Sequence, residues 1–125
     1  MALAEAIAPQ TEKVVAKALL RAAGLLGVTA KELSPVIGLS EATLSRIRRD
    51  PDGGGRMAGK PYELALLFIR LYRSLDAITG GDGAAARRWM RADNAALGGA
   101  PLDRIRKVDG LAHVLAYLDA RRAPL

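Results

Sequence analysis

The sequence predicts an all-α protein of about seven helices, in which an N-terminal helix-turn-helix unit is followed by a small helical domain. Three observations support this fold class. Apolar residues recur at helical spacing in successive segments, glycine- and proline-rich stretches separate those segments, and no segment has the alternating pattern of a strand. The length of 125 residues is sufficient for one compact domain or two very small ones.

The first predicted helix covers Val14–Leu26, where apolar residues return every three or four positions, and Thr11 is its predicted N-cap. The second predicted helix starts with Thr29 and Glu32, which match a capping box. In that arrangement the threonine hydroxyl accepts a hydrogen bond from the glutamate amide, and the glutamate side chain accepts one from the threonine amide. Gly38 is predicted to end this helix after a few turns.

Residues 29–50 have the pattern of a helix-turn-helix. A glycine at position 38 allows the positive φ angle that two short, steeply crossing helices require. Ser40 is the predicted N-cap of the second helix of this unit. The apolar residues that would hold the two helices together are Leu33, Ile37, Leu39, Leu44 and Ile47. In such a unit the second helix enters the major groove of DNA.

The outward face of that second helix supplies the predicted DNA-binding residues. These are Ser40, Glu41, Ala42, Thr43, Ser45, Arg46, Arg48 and Arg49. Ser45 and Arg46 stand where base edges are read, and arginine is the side chain that most often reads guanine. Thr43 and Arg48 lie nearer the flanks, where phosphate groups pass.

Two residues of the first helix argue against a regular unit. Pro35 removes a backbone donor inside the helix, and Ser34 stands where a small apolar residue usually packs against the partner helix. The sequence leaves open whether the helix restarts at this pair or the unit is distorted. An ordinary helical hairpin with a solvated arginine face is the alternative interpretation.

A break at residues 50–61, rich in glycine and proline, divides the sequence into a DNA-binding region, residues 1–55, and a second helical region, residues 56–125. The helices predicted beyond the break are Tyr62–Ile78, Ala84–Ala92, Pro101–Arg106 and a final helix capped by Asp109. Tyr62–Ile78 has apolar residues on more than one face, which indicates burial on two sides and favours a homodimer. Trp89 is expected mainly in the core, with a role at the surface as the alternative.

Composition excludes several classes of function. The absence of cysteine excludes disulfides, thiolate metal sites and cysteine nucleophiles, and the single histidine, His113, argues against a histidine metal site or a Ser-His triad. No glycine-rich segment follows a strand, as a nucleotide cradle would. The sequence therefore predicts a protein that is not an enzyme and has neither metal nor cofactor.

Charge and hydropathy narrow the partners and the compartment. A formal net charge of +6 favours nucleic acid as a partner, since arginine and lysine bind phosphate. Residues 1–9 lack the basic start of a signal peptide, and no apolar run approaches the ~20 residues of a membrane span. We therefore expect a cytoplasmic protein without a membrane partner.

Together these residues resemble a known family. The run from Gly38-Leu39-Ser40 to Thr43-Leu44-Ser45-Arg46-Ile47 resembles the Xre-type helix-turn-helix. The second half resembles the toxin-binding domain of Xre/MbcA/ParS antitoxins. The residues that carry this second resemblance are Trp89, Asn94, Ala96-Leu97-Gly98-Gly99, Pro101-Leu102 and Asp109-Gly110.

The resemblance implies an antitoxin of a type II toxin–antitoxin system. Such proteins neutralise a Res-type toxin, which degrades NAD, by covering its active-site cleft, and they repress their own operon by binding operator DNA, usually as dimers. In the family the last helix and the tail lie against the toxin. The toxin-binding residues implied here are His113, Tyr117, Arg121, Arg122, Ala123, Pro124 and Leu125. This chain lacks the glycine that relatives commonly carry after the last helix.

Two other functions stay open at this point. One is a stand-alone dimeric helix-turn-helix transcriptional repressor, whose second half only dimerises or senses a ligand. The other is a protein-interaction adaptor whose helix-turn-helix no longer binds DNA. Pro35 and Glu41 favour this adaptor, because the Glu41 carboxylate stands near where phosphate would pass.

Overall fold

The structure, a computed structural model, describes residues 10–53 and 55–122. These residues form seven α-helices and no strand, which confirms the all-α prediction. The helices are α1 (Gln10–Leu25), α2 (Ala30–Ile37), α3 (Glu41–Arg49), α4 (Lys60–Ile78), α5 (Gly83–Arg91), α6 (Pro101–Arg104) and α7 (Val108–Arg122). A short 3-10 helix, Ala95–Leu97, connects α5 to α6.

Helix α4 lies at the centre of the molecule, packed between α1 and α7. Phe68, Leu71 and Leu75 are fully buried along it, and burial of each such side chain stabilises the fold by about 1.5–3 kcal/mol. The excess of apolar residues on this helix is therefore largely explained within one chain. Leu66 and Ile78 are the exceptions, since they are 44% and 40% exposed.

The buried residues of all the α-helices join into one core. Leu19 and Leu26 enter it from α1 and the turn after it, while Leu44 and Ile47 enter it from α3. The C-terminal helices contribute through their own buried residues, which include Met90, Leu102, Ile105, Leu111, Val114 and Leu118. Because this packing is shared, α3 is supported by the same core as α7.

The segment after α3 is tied to α1 by a buried carboxylate. Glu12 accepts hydrogen bonds from Nε and Nη2 of Arg56, each at 3.0 Å, and from the Met57 amide at 2.7 Å. The hydrogen bond from Arg56 lowers the pKa of Glu12, although burial opposes this. The break between the two predicted regions is therefore anchored where Met57 enters the core.

Several helix ends confirm the predicted caps, and others differ. Helix α4 begins at Lys60 rather than Tyr62, inside the predicted break, because proline is tolerated in the first turn of a helix. Thr29 and Glu32 form the capping box, and Ser40 caps α3. Thr11 lies inside α1 rather than at its N-cap, because the helix already includes Gln10. Helix α6 ends at Arg104 instead of Arg106. Asp109 lies within the first turn of α7 rather than at its cap. Its negative charge there still interacts favourably with the positive end of the helix dipole.

Gly110 of α7 packs directly against the backbone at the end of α6. A Cβ atom at this position would overlap the backbone carbonyl oxygen of Arg104, and backbone cannot move aside as a flexible side chain can. The absence of a side chain at Gly110 is therefore required for the chain to turn from α6 into α7.

We expect Gly110→Ala to lower the free energy of unfolding by at least about 2 kcal/mol, because the added methyl group forces the two helices apart. Gly24→Ala is the matched control, since it places the same methyl group in a helix where nothing lies within 4 Å. Alanine should stabilise that helix by about 0.5 kcal/mol. Urea denaturation followed by circular dichroism measures both changes, and equal stability of the two variants would contradict the packing described here.

Candidate DNA-binding and partner-binding surfaces

The turn between α2 and α3 has the geometry of a helix-turn-helix. Gly38 has a φ angle of 80°, and its amide donates to the Ser34 carbonyl at 2.9 Å. The Ser34 hydroxyl donates to the carbonyl of Leu39. Ser34 therefore stabilises the turn by a hydrogen bond, in place of the apolar packing expected at that position.

Pro35 does not interrupt α2. The helix runs unbroken from Ala30 to Ile37, and Pro35 lies on its exposed side. Its missing amide leaves an acceptor unpaired only where solvent can reach it. The restart that the sequence left open is therefore absent, and α2 is continuous up to the turn before α3.

The predicted DNA-binding residues lie on α3 and at its N-cap. Glu41, Ala42, Arg46, Arg48 and Arg49 are exposed, while Thr43 and Ser45 are half-buried. Exposed arginines at this density give the face a positive potential, which attracts phosphate. Glu41 adds one opposing charge at the start of the helix.

A local network restrains the first turn of α3. Ser40 accepts from the Thr43 amide at 3.1 Å, and its hydroxyl donates to Thr43 Oγ1 at 2.9 Å. Nη2 of Arg46 donates to the same Thr43 oxygen at 3.0 Å. The side chain of Arg46 is thus held along the helix, while its remaining guanidinium donors can still face a base edge.

Arg91 of α5 joins the C-terminal half of the chain to the start of α2. Its Nη1 donates to Glu32 Oε2 at 2.8 Å, and its Nη2 donates to Glu32 Oε1 at 2.9 Å. The same Nη2 also donates to the carbonyl oxygen of Gly27 at 2.6 Å. We call this arrangement the Arg91 clamp. It fixes the orientation of α2, and with it the helix-turn-helix, relative to α5.

The clamp changes the titration of Glu32. The hydrogen bonds from Arg91, followed by that from the Thr29 amide, lower the pKa of Glu32 from 4.5 to about 2, against the opposing effect of burial. Glu32 therefore stays ionised through the whole range in which an ordinary glutamate would take up a proton.

Tyr117 of α7, one of the implied toxin-binding residues, forms an aromatic stack with Trp89 of α5. The ring of Trp89 lies parallel to it, with 6.4 Å between the ring centroids and 19° between the planes. The guanidinium of Arg121 lies 4.6 Å from the centroid of Tyr117. Trp89 is half-buried and packs against the core, so it belongs to both the core and this surface.

The other implied toxin-binding residues are not all part of this stack. His113 is exposed on α7. Arg122 donates to the hydroxyl of Ser74 at 3.3 Å, and that hydroxyl donates to Asp119 at 3.1 Å. Arg122 is thus turned toward α4. Ala123, Pro124 and Leu125 lie outside the described residues.

Among the described residues, no group of three or more histidine, aspartate or glutamate side chains is placed to hold a metal ion. None of the helices described has both the length and the apolar character that crossing a bilayer requires.

Comparison with protein families identifies both halves of the chain. Residues 5–54 match the antitoxin Xre-like helix-turn-helix domain, and residues 74–123 match the antitoxin Xre/MbcA/ParS C-terminal toxin-binding domain. No curated protein matches the chain. The chain belongs to the Xre/MbcA/ParS family of antitoxins, and it has both the DNA-binding and the toxin-binding domain of that family. The family resemblance inferred from the sequence is thereby confirmed.

Sequence reasoning assigned Glu32 to the capping box but did not find its partner Arg91. The only feature of the sequence that could have indicated this ion pair is an arginine in the last turn of a short helix, and many helices have one. The pairing depends on how α5 packs beside α2, which no local pattern specifies.

We expect the Arg91 clamp to make stability depend on pH. Because the pKa of Glu32 is lower in the folded chain than in the unfolded one, its stabilising effect is complete above pH 4.5 and is lost as the pH falls toward 2. Glu32→Gln should cost on the order of 1 kcal/mol at pH 7 and flatten the pH dependence in this range. Urea denaturation at successive pH values measures both effects.

Glu63→Gln is the matched control, since Glu63 is exposed and, among the described residues, its carboxylate pairs only with Lys60, at 3.2 Å. Its pH profile should stay close to that of the unmodified chain. If Glu32→Gln and Glu63→Gln gave the same profile, the clamp would not contribute to stability.

Proposed function

We propose that this chain is the antitoxin of a type II toxin–antitoxin system, which neutralises a Res-type, NAD-degrading toxin by covering its active site and represses its own operon through DNA binding. Membership of the antitoxin family is the observation that carries this proposal. The family resemblance supplies the Res-type toxin and the mode of inhibition. Residues 1–55 are the proposed DNA-binding region, and residues 56–125 are the proposed toxin-binding region.

The geometry of α3 supports operator binding. Its exposed arginines and its capped N-terminus lie on a helix whose other face, through Leu44 and Ile47, is fixed in the core. A recognition helix supported in this way presents its side chains with little loss of conformational freedom on binding. We propose that Arg46 reads a base edge, Ser45 contributes beside it, and Arg48 and Arg49 contact phosphate.

The aromatic stack between α5 and α7 supports toxin binding. Tyr117 and Trp89 restrain each other, and aromatic and arginine side chains held in this manner are typical anchors of protein interfaces. Arg121 and His113 add positive or polar character along α7. We propose that the toxin contacts this surface and that the tail, with Ala123, Pro124 and Leu125, extends the contact to the active-site cleft.

A homodimer would match the two-fold symmetry of an operator. Helix-turn-helix proteins commonly bind two half-sites as dimers. Five large apolar side chains are exposed on the described surface, namely Val14, Leu25, Leu66, Ile78 and Val108. We propose that some of them are covered in a dimer. Sedimentation at micromolar concentration that showed a strict monomer would remove this part of the proposal.

Operator binding is tested with Arg46→Ala. Loss of one base contact should cost about 1–3 kcal/mol of discrimination, so the affinity for the DNA upstream of the chain's own reading frame should fall roughly 5- to 150-fold. The affinity for a scrambled duplex should change much less. Fluorescence anisotropy with both duplexes gives the comparison.

Arg73→Ala is the matched control, since it removes an exposed arginine from α4 rather than from α3. It should affect the operator and the scrambled duplex alike and only slightly. Equal operator affinities for Arg46→Ala and Arg73→Ala would show that α3 is not the recognition helix.

Toxin binding is tested by co-expression with the product of the neighbouring gene, followed by pull-down and a growth assay. The neighbour should be toxic alone and harmless beside this chain. Truncation after Ala120 should abolish rescue, and Arg121→Ala should weaken capture, because both remove the cation above Tyr117. Operator affinity should be unchanged in both variants.

Lys60→Ala removes an exposed charge from the start of α4 and should leave rescue intact. A measurement of NAD in the same cells tests the type of toxin, since the level should fall with the toxin alone. A neighbour that is harmless, or that does not bind, would leave the stand-alone repressor as the better account.

A further inference from the structure

A groove runs along the seam between the helix-turn-helix and the C-terminal half. Its first part is a cleft of about 570 Å³, lined by Thr29, Lys31, Glu32, Pro35, Arg91, Leu102, Asp103 and Arg106. An adjoining cleft of about 400 Å³ shares Pro35, Asp103 and Arg106 and adds Arg104 and Lys107. We call the two clefts together the seam groove.

The charge of the seam groove is unbalanced. Lys31, Arg106 and Lys107 are exposed, and none of their side chains forms a hydrogen bond or ion pair with the part of the chain that the structure describes. The charge of Glu32 is already matched by Arg91. Asp103 is the remaining carboxylate along the lining. The groove therefore offers these three exposed cations, and a fourth in the half-buried Arg104, against one acid, and an anionic partner would be favoured there.

The position of the seam groove beside α2 indicates that this anion is the phosphate backbone of DNA. In a helix-turn-helix complex the recognition helix enters the major groove, while the first helix crosses the phosphate backbone. Here α2 is that first helix, and Lys31 lies in its first turn. Arg106 lines the same cleft as Lys31, so it faces the region that the backbone would occupy.

We propose that the seam groove is a phosphate-binding surface for operator DNA, in which Arg106 and Lys107 of the C-terminal half contact the backbone beside α2. The inference rests on the proposed DNA-binding function and extends it to residues outside the helix-turn-helix. These contacts are sequence-independent, because phosphates carry no base identity. The domain that matches toxin binding thus also adds affinity for DNA.

The Arg91 clamp makes this arrangement effective. It ties α5 to the start of α2 through three hydrogen bonds of 2.6–2.9 Å. Cations from the two halves are thereby held at a fixed spacing before DNA arrives. A preformed surface of this kind loses less conformational entropy on binding than two independently moving segments.

The proposal is tested by the salt dependence of operator affinity between about 50 and 200 mM salt, with the full chain. Each phosphate contact contributes about 0.9 to the slope of log affinity against log salt concentration. The double variant Arg106→Ala/Lys107→Ala should therefore reduce the slope by about 2, and it should weaken the operator and a scrambled duplex equally. Asp103→Asn should strengthen binding to both duplexes, since it removes the opposing charge.

Arg73→Ala provides the control, because it removes an exposed cation that does not line the groove. An unchanged slope in Arg106→Ala/Lys107→Ala, with a circular dichroism spectrum matching that of the unmodified chain, would overturn the proposal. A second result would also overturn the proposal, in favour of a small-anion site. In that result inorganic pyrophosphate raises the melting temperature of the unmodified chain but not of the double variant, while the salt slope of the double variant's DNA binding is unchanged.

Failure of the two proposals can be told apart. If the unmodified chain does not distinguish its operator from the scrambled duplex, operator recognition itself fails. If Arg46→Ala loses that distinction while Arg106→Ala/Lys107→Ala binds as the unmodified chain does, operator recognition stands and the groove has no part in it.

Discussion

The packing of α4 between α1 and α7 is the constraint on which the remaining structure depends. The side chains of Phe68, Leu71 and Leu75 are fully buried along this helix, and the burial of each one removes apolar surface from water. Since α3 and α5 add their own buried residues to the same core, neither half has a separate support. The proposed DNA-binding and partner-binding surfaces are therefore two faces of one packed unit.

Polar contacts determine how those faces are oriented. Glu12 anchors the segment after α3, and the Arg91 clamp anchors α5 to the turn before α2. Both are charged pairs in which the carboxylate also accepts a hydrogen bond from a backbone amide, which strengthens its hold on the partner. Between them, these pairs hold the helix-turn-helix at both ends, while the exposed cations of α3 and the seam groove stay available for a partner.

Much of the local structure could be predicted from the sequence, because its causes lie within four residues. The capping box of Thr29 and Glu32, the left-handed Gly38 and the Ser40 cap are each formed by neighbouring groups, and all three are confirmed. The errors at Thr11 and Asp109 are also local, since shifting the end of a helix by a residue changes the free energy of folding only a little. Ser34 was judged by the packing usual at its position, whereas its hydroxyl bonds to the turn that follows.

By itself, the sequence determined the class of the fold, the helix-turn-helix with its outward face, and the family, because periodicity, caps and motif spacing are properties of short segments. Only the tertiary structure decided which distant groups meet. Arg91 and Glu32 are separated by 59 positions, and Trp89 meets Tyr117 only through the packing of α5 and α7 near the same core. Such pairs form because the core fixes helix orientation, and no single segment contains the information about that orientation.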